Sequence, residues 1–173
     1  MIAYALFKNP TLFILLFIAS NLQAQKAVKK FISKYDDVAI EKMRRYGIPA
    51  SIILGVSMEE SNSGQSPICK SLRNFFGIKG KNRSSEEKMG YKSKYKEYPT
   101  DSASFEHFCQ VIRKKSFYKK LKGTVDYKQW LNKMNIASYA SSKQKWIDHI
   151  TTTIEKHKLH ELDKLASEEV TIN

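Results

Sequence analysis

The sequence is poor in the features that announce many chemistries. Cysteine is confined to Cys69 and Cys109, too few for a disulfide-built scaffold or a thiolate metal centre. The four histidines, His107, His149, His157 and His160, share no helix face with a carboxylate at metal-ligand spacing beyond a weak His157 and His160 pair, so no metal and no cofactor is expected. No glycine-rich loop is placed to cradle phosphate. Gly55-Val56-Ser57-Met58-Glu59 lacks the closing glycine of a serine-hydrolase elbow. Zinc-finger and RNA-binding motifs, internal repeats and low-complexity tracts are also missing. Acidic residues are scarce: 17 against 30 lysines and arginines give a formal net charge of +13. That balance favours polyanionic partners, although most individual lysines are expected to be solvated surface.

A long apolar run is missing as well. Thr11 to Ala19 is flanked by Lys8 and by the polar stretch from Ser20 to Gln25, and it covers about half of the ~20 residues that span a bilayer. The layout is that of a secretory signal peptide over residues 1–24, cut after Ala24. The mature chain is then exported to the periplasm, the cell envelope or the medium, without stable membrane insertion. No cysteine near the cut supplies a lipid anchor. Export leaves nucleic acid out of reach and points the positive charge, of which only Lys8 leaves with the leader, toward the cell wall. In that setting Cys69 and Cys109 are free to pair, or they remain buried thiols; the sequence leaves both open.

Residues 25–160 are expected to form one domain, with 161–173 a polar tail that frays. From Ala27 to Tyr46 apolar residues recur at spacings of three and four, and Gly47 stands where a C-cap belongs. Pro49 suits the first turn of a second helix reaching Ser61, before the breakers Asn62-Ser63-Gly64. Periodicity lapses from Gly64 to Tyr98, where Gly77 to Ser85 reads as loop or hairpin and forms a plausible lip of a cleft. Helices are predicted again over Ser102–Arg113, over Tyr127–Met134 behind the capping pair Asp126 and Gln129, and over Lys143–His157.

Among the carboxylates, Glu60 stands out. At ~100° per residue it falls within the arc of Ile52, Ile53 and Val56, whereas Glu59 lies at the edge of that arc. Glu60 also occupies the last helical turn, where the dipole's negative end disfavours an anion. Burial and dipole both push its pKa upward, which suits a general acid. Glycoside hydrolysis needs such an acid, and usually a second carboxyl across the cleft.

The stretch Glu60-Ser61-Asn62-Ser63-Gly64-Gln65-Ser66, followed by Asn74-Phe75-Phe76-Gly77-Ile78-Lys79-Gly80, resembles the paired motifs of the glucosaminidase family, glycoside hydrolase family 73. There a helix ends in Leu-Glu-Ser-Gly-x-Gly-x-Ser, and a loop with Asn-Asn-x-Phe-Gly-Ile-Lys follows. The likeness extends from about Phe31, through Arg45 to Ser51, to about Leu159. It implies a mainly α, lysozyme-like helical domain with a small irregular or β-hairpin lobe bordering a cleft. The reaction implied is endo-β-N-acetylglucosaminidase cleavage of peptidoglycan glycan strands between N-acetylglucosamine and N-acetylmuramic acid.

Carried over by position, the family's acid falls on Glu60, and Ser61, Asn74, Phe76 and Gly77 fall on the substrate side of the cleft, with Phe75 and Phe76 also packing its floor. The second carboxyl is expected from Glu86 or Glu87, upstream of Tyr95-Lys96-Glu97-Tyr98, with Glu97 in reserve. Tyr139, within Ile136-Ala137-Ser138-Tyr139-Ala140, resembles the family's cleft tyrosine, which offers a hydroxyl and a stacking face. Glu59, Asn62 and Arg73 depart from the family pattern, standing for Leu, Gly and Asn. The competing readings are a muramidase or lytic transglycosylase on a related fold, and a catalytically silent wall-binding or assembly protein.

Overall fold

The computed structural model describes residues 10–136 and 143–168. The helices are α1 (Pro10–Tyr46), α2 (Ala50–Ser61), α3 (Pro67–Leu72), α4 (Ser85–Met89), α5 (Asp101–Arg113), α6 (Tyr118–Leu121), α7 (Tyr127–Ile136), α8 (Lys143–Lys156) and α9 (Glu161–Glu168). The chain divides into two units, Met1–Lys34 and Tyr35–Asn173. In the first, α1 begins well before the Ala27 start that periodicity suggested. No helix among the described residues is long and apolar enough to cross a membrane.

In the second unit, α1 ends because Gly47 adopts a left-handed φ of 64° and donates its N–H back to Met43 O at 2.7 Å. A side chain is excluded there on a second count, since a Cβ would lie 2.9 Å from the backbone nitrogen of Gly123. Gly123 N–H in turn donates to Gly47 O at 2.8 Å, and the Tyr118 hydroxyl donates to Tyr46 O at 2.6 Å. The tight corner is thereby fixed from the α6 side, and Pro49 starts α2 immediately after it.

Helix α2 is the axis of the core. Every residue from Ala50 to Met58 is buried, as expected of a helix that is apolar all round. Helices α7, α8 and α9 pack against it. Gly55 lets α8 come close: a Cβ at that position would sit 3.0 and 3.3 Å from the side chains of Ile154 and Ile150. A second core layer is aromatic. Phe76 stacks on Phe108 with centroids 4.2 Å apart, and Tyr35, Phe75 and Phe105 join edge and face around it. Burying each such ring contributes roughly 2–3 kcal/mol, so the Asn74-Phe75-Phe76 segment is tied firmly to α5.

The lobe between Gly77 and Tyr98 consists of two extended arms that meet at a single antiparallel bridge, Lys79 with Tyr95. Flanking bonds run from Gly80 N to Lys94 O at 2.9 Å and from Lys96 N to Ile78 O at 2.8 Å. Asn82 stitches the arms further, donating from Nδ2 to Ser93 O and Tyr95 O. The expected lobe is therefore present, irregular rather than a regular hairpin.

Two expectations are corrected. The aperiodic stretch after Gly64 contains two short helices, α3 and α4, each only five or six residues long and too short for a periodic pattern to register. The question left open for Cys69 and Cys109 is also answered: both are buried and they do not form a disulfide, and burial pushes the Cys109 thiol strongly upward. Within the segment expected to fray, residues 161–168 form α9, whose Asp163 is 2 % exposed. Its carboxylate accepts the Ser51 N–H at 2.9 Å and the Ser51 hydroxyl at 2.6 Å. Asp163 thus serves as a cap for α2 supplied from a distant part of the chain.

Candidate active site

The end of α2 is built to hold a carboxyl away from water. After Ser61 the backbone turns through three consecutive left-handed residues, Asn62, Ser63 and Gly64, with φ of 50°, 48° and 76°. The helix end is satisfied internally. Ser63 N–H donates to Met58 O at 2.8 Å, and the Ser61 hydroxyl donates to Ser57 O at 2.6 Å while accepting the Gly64 N–H at 2.8 Å. Ser66 then caps α3 by accepting the Cys69 N–H. Asparagine tolerates the left-handed region better than any residue but glycine, which explains how Asn62 stands in for the family's glycine. Arg73, which ends α3, is also left-handed at φ 52°. Its guanidinium donates to Pro99 O at 2.9 Å, an anchor that accompanies the strained backbone.

Glu60 lies in that last turn. Its Oε1 accepts the Trp146 indole N–H at 2.9 Å. Its Oε2 faces the backbone of Gly77, where an added Cβ would come within 3.4 Å of it. Gly77 has a φ of 61°, a backbone conformation that favours glycine, and a Cβ there would lie at van der Waals distance from Glu60 Oε2 and, at 3.8 Å, from the Tyr95 ring. The Glu60 pKa is raised: burial is the main cause, the Trp146 bond opposes it, and the neighbouring charge of Glu59 adds to it. Glu59 itself points outward and meets His149 Nδ1 at 3.0 Å. The two adjacent glutamates therefore bond to two residues of α8, one buried and one exposed.

The remaining residues singled out from the sequence fall into three groups. Ser61, Asn74 and Phe76 are buried in the protein's own contacts. Ser61 closes the helix end. Asn74 donates Nδ2 to Ile78 O and Lys96 O at 2.8 Å and accepts the Ile78 N–H, clamping both arms of the lobe. Phe76 is 3 % exposed in the aromatic layer. Their contacts in this geometry are therefore with the protein itself. Glu86 and Glu87 lie on α4 at the tip of the lobe, both exposed, and Glu86 Oε2 lies 3.9 Å from Lys92 Nζ. Tyr139 lies outside the described residues.

Glu97 is held by the Lys88 ammonium at 2.7 Å, the Ser84 hydroxyl and the Arg83 N–H. The Lys88 and Ser84 bonds bring its pKa down to about 2. It is the lobe's internal tie, in keeping with a structural role.

Trp146 is the site residue that sequence reasoning passed over. In the sequence it is one apolar position among others in the helix expected over Lys143–His157, although an indole N–H in a buried face requires an acceptor. Its acceptor lies 86 positions away. Among the described residues no group of three or more histidines, cysteines or carboxylates is placed to hold a metal.

A partly buried helix-end carboxyl, facing a glycine on an irregular lobe within a mainly helical domain, is the arrangement expected of a lysozyme-like glycoside hydrolase. Comparison with known proteins supports that class and narrows it. The family described as Glucosaminidase, mannosyl-glycoprotein endo-beta-N-acetylglucosaminidase, matches residues 36–159, and the chain belongs to that family. The catalytic domain of the autolysin Auto from Listeria monocytogenes is structurally similar, with a TM-score of 0.65 at 22 % identity over 79 % of this chain and 88 % of that one. A comparison with curated proteins returns no match.

Proposed function

We propose that this protein is an exported peptidoglycan hydrolase that cleaves the bond from N-acetylglucosamine to N-acetylmuramic acid, with Glu60 as the general acid. The observation that carries the reading is the Glu60 carboxyl itself, partly buried, raised in pKa, and held at Oε1 by Trp146. Because the indole N–H can only donate, it occupies Oε1 and leaves the acid proton to Oε2, the oxygen that faces Gly77. That oxygen is the one positioned to protonate the glycosidic oxygen of a strand lying between the core and the lobe. A glycine at 77 keeps the approach open.

Glu86 or Glu87 supplies the second carboxyl in this reading. Their place on an exposed lobe helix lets them approach the anomeric carbon when substrate draws the lobe in. Tyr139 adds a hydroxyl and a stacking face. The excess of basic residues suits the carboxylates of wall peptides, and the N-terminal apolar run supplies the route of export.

Glu60→Gln tests the assignment, since the amide matches the carboxyl in shape but delivers no proton. Digestion of purified peptidoglycan should slow by about 10²–10⁴-fold with an unchanged circular dichroism spectrum, and near-normal digestion would refute the role. Mass analysis of the wild-type products should find new reducing-end N-acetylglucosamine. Reducing muramic ends would instead identify a muramidase, and anhydro-muramic ends a transglycosylase.

A further inference from the structure

Beside Gly80 the lobe contains a cavity of about 290 Å³ whose lining includes Lys81, Asn82, Arg83, Ser85, Glu86 and Lys92. We propose that this cavity is a subsite for a carboxylate of the peptide branches carried by the glycan strand, a proposal that rests on the peptidoglycan reading above.

Its charge is the first argument. Three cations and one carboxylate line the cavity. The carboxylate, Glu86, meets Lys92 only at 3.9 Å, with both side chains mostly exposed, so the pair is weakly coupled. The lobe's other internal acid, Glu97, is already held by Lys88, Ser84 and the Arg83 N–H. A positive excess therefore faces the opening. No aromatic side chain is present in the lining, so the cavity offers no stacking face for a neutral sugar, whereas guanidinium and ammonium groups match a carboxylate.

Its construction is the second. The floor is fixed before any ligand arrives: the buried Ser85 hydroxyl accepts the Ser93 N–H at 3.0 Å, and Asn82 Nδ2 bonds Ser93 O and Tyr95 O at 2.7 and 2.8 Å. Position is the third argument. Gly80 at the cavity edge is three residues from Gly77, whose backbone Glu60 Oε2 faces. Three residues of extended chain span at most ~11 Å, so a strand engaged at Glu60 keeps its peptide branches within reach of Lys81, Arg83 and Lys92.

The test compares wild type with the triple variant Lys81→Ala, Arg83→Ala, Lys92→Ala on two substrates, intact peptidoglycan and glycan stripped of its peptides by an amidase. Wild type should favour the intact substrate by about tenfold in KM at low salt, and that preference should weaken as salt rises. The triple variant should lose the preference, its KM on intact peptidoglycan rising toward the value for stripped glycan. A control triple of equal charge change on exposed lysines elsewhere, Lys114→Ala, Lys119→Ala, Lys120→Ala, should keep it.

A triple lobe variant that retains the preference overturns the proposal. So does a control that loses it equally, because diffuse surface charge then suffices. Co-sedimentation of the Glu60→Gln protein, with and without the lobe substitutions, on intact and stripped wall reads the subsite without cleavage. Peptide-dependent binding through the lobe cations in a wild-type protein that cuts neither substrate would retain the subsite and overturn the hydrolase reading.

Discussion

Replacing Asp163 separates two contributions that the folded state combines. Asp163 supplies acceptors to two buried donors of Ser51 at the start of α2, and its pKa is raised because burial outweighs the bonds from Ser51. Alanine removes both acceptors. Loss of a helix cap costs about 1 kcal/mol, and each buried donor left unpaired costs about 1–3 kcal/mol, less for a hydroxyl that can rotate. Asp163→Ala is therefore expected to destabilise by about 3 kcal/mol, which at ~2–4 °C per kcal/mol lowers Tm by roughly 6–12 °C. Asparagine keeps an acceptor for the Ser51 N–H, lets the Ser51 hydroxyl turn to accept, and removes the burial of charge, so its cost should stay below about 1 kcal/mol.

The pH dependence has a definite sign. A carboxyl whose folded pKa lies above its unfolded value stabilises fully below the unfolded pKa, and it loses that contribution as pH rises through the folded pKa. Asp163→Asn should therefore gain on wild type as pH is raised from the ordinary carboxylate range, ~4, toward neutrality. Urea and thermal unfolding followed by circular dichroism at several pH values measure both effects. An alanine variant within about 1 kcal/mol of wild type would refute the capping argument. A wild-type advantage over asparagine that grows with pH would show that attraction to the helix end outweighs desolvation.

Three further substitutions probe the acid. Glu59→Gln removes a charge that helps keep Glu60 protonated, so the alkaline limb of the kcat/KM profile should move to lower pH while the maximal rate stays within a few-fold; an unmoved or upward-moving limb counts against the coupling. Trp146→Phe keeps the ring but deletes the donor that favours the Glu60 carboxylate, so the same limb should move to higher pH, and a downward shift would contradict the bond's role. Gly77→Ala combines a left-handed φ, which costs about 1–2 kcal/mol for an L side chain, with a methyl pressed toward Glu60 Oε2. It should lower kcat by about tenfold or more with little change in secondary structure, and full activity would mean that the glycine serves the turn alone.

What the sequence disclosed, and what it withheld, follows from the range of each interaction. The ends of α2 and α5 were readable to within a residue or two, because Pro49, Asn62 and Thr100 act on their immediate neighbours. The direction of Glu60 was readable because helical phase is local. Its partner was not, since nothing near Trp146 says which carboxyl its N–H will meet. Helix α9 was misread for a related reason: its most buried residue among those described, Asp163, is charged, and a polar residue engaged in a distant cap is indistinguishable by pattern from one in water. The candidates for a second carboxyl were legible only as an interval, because Glu86 and Glu87 sit on a helix of five residues with no periodicity to orient them.

The fastening of α2 has a consequence for how the protein is made. One end of the helix is closed by Asp163, 112 positions from Ser51, and the other is bonded to Trp146, 86 positions from Glu60. During synthesis or threading through a membrane, the chain emerges from its N-terminus, and the acid is extruded long before either fastening exists. Until the last two helices follow, Glu60 is a hydrated side chain on an unsupported segment, with an ordinary proton affinity. The environment that raises the Glu60 pKa is therefore acquired late, and a nascent or interrupted chain carries the motif without the surroundings that set its proton affinity.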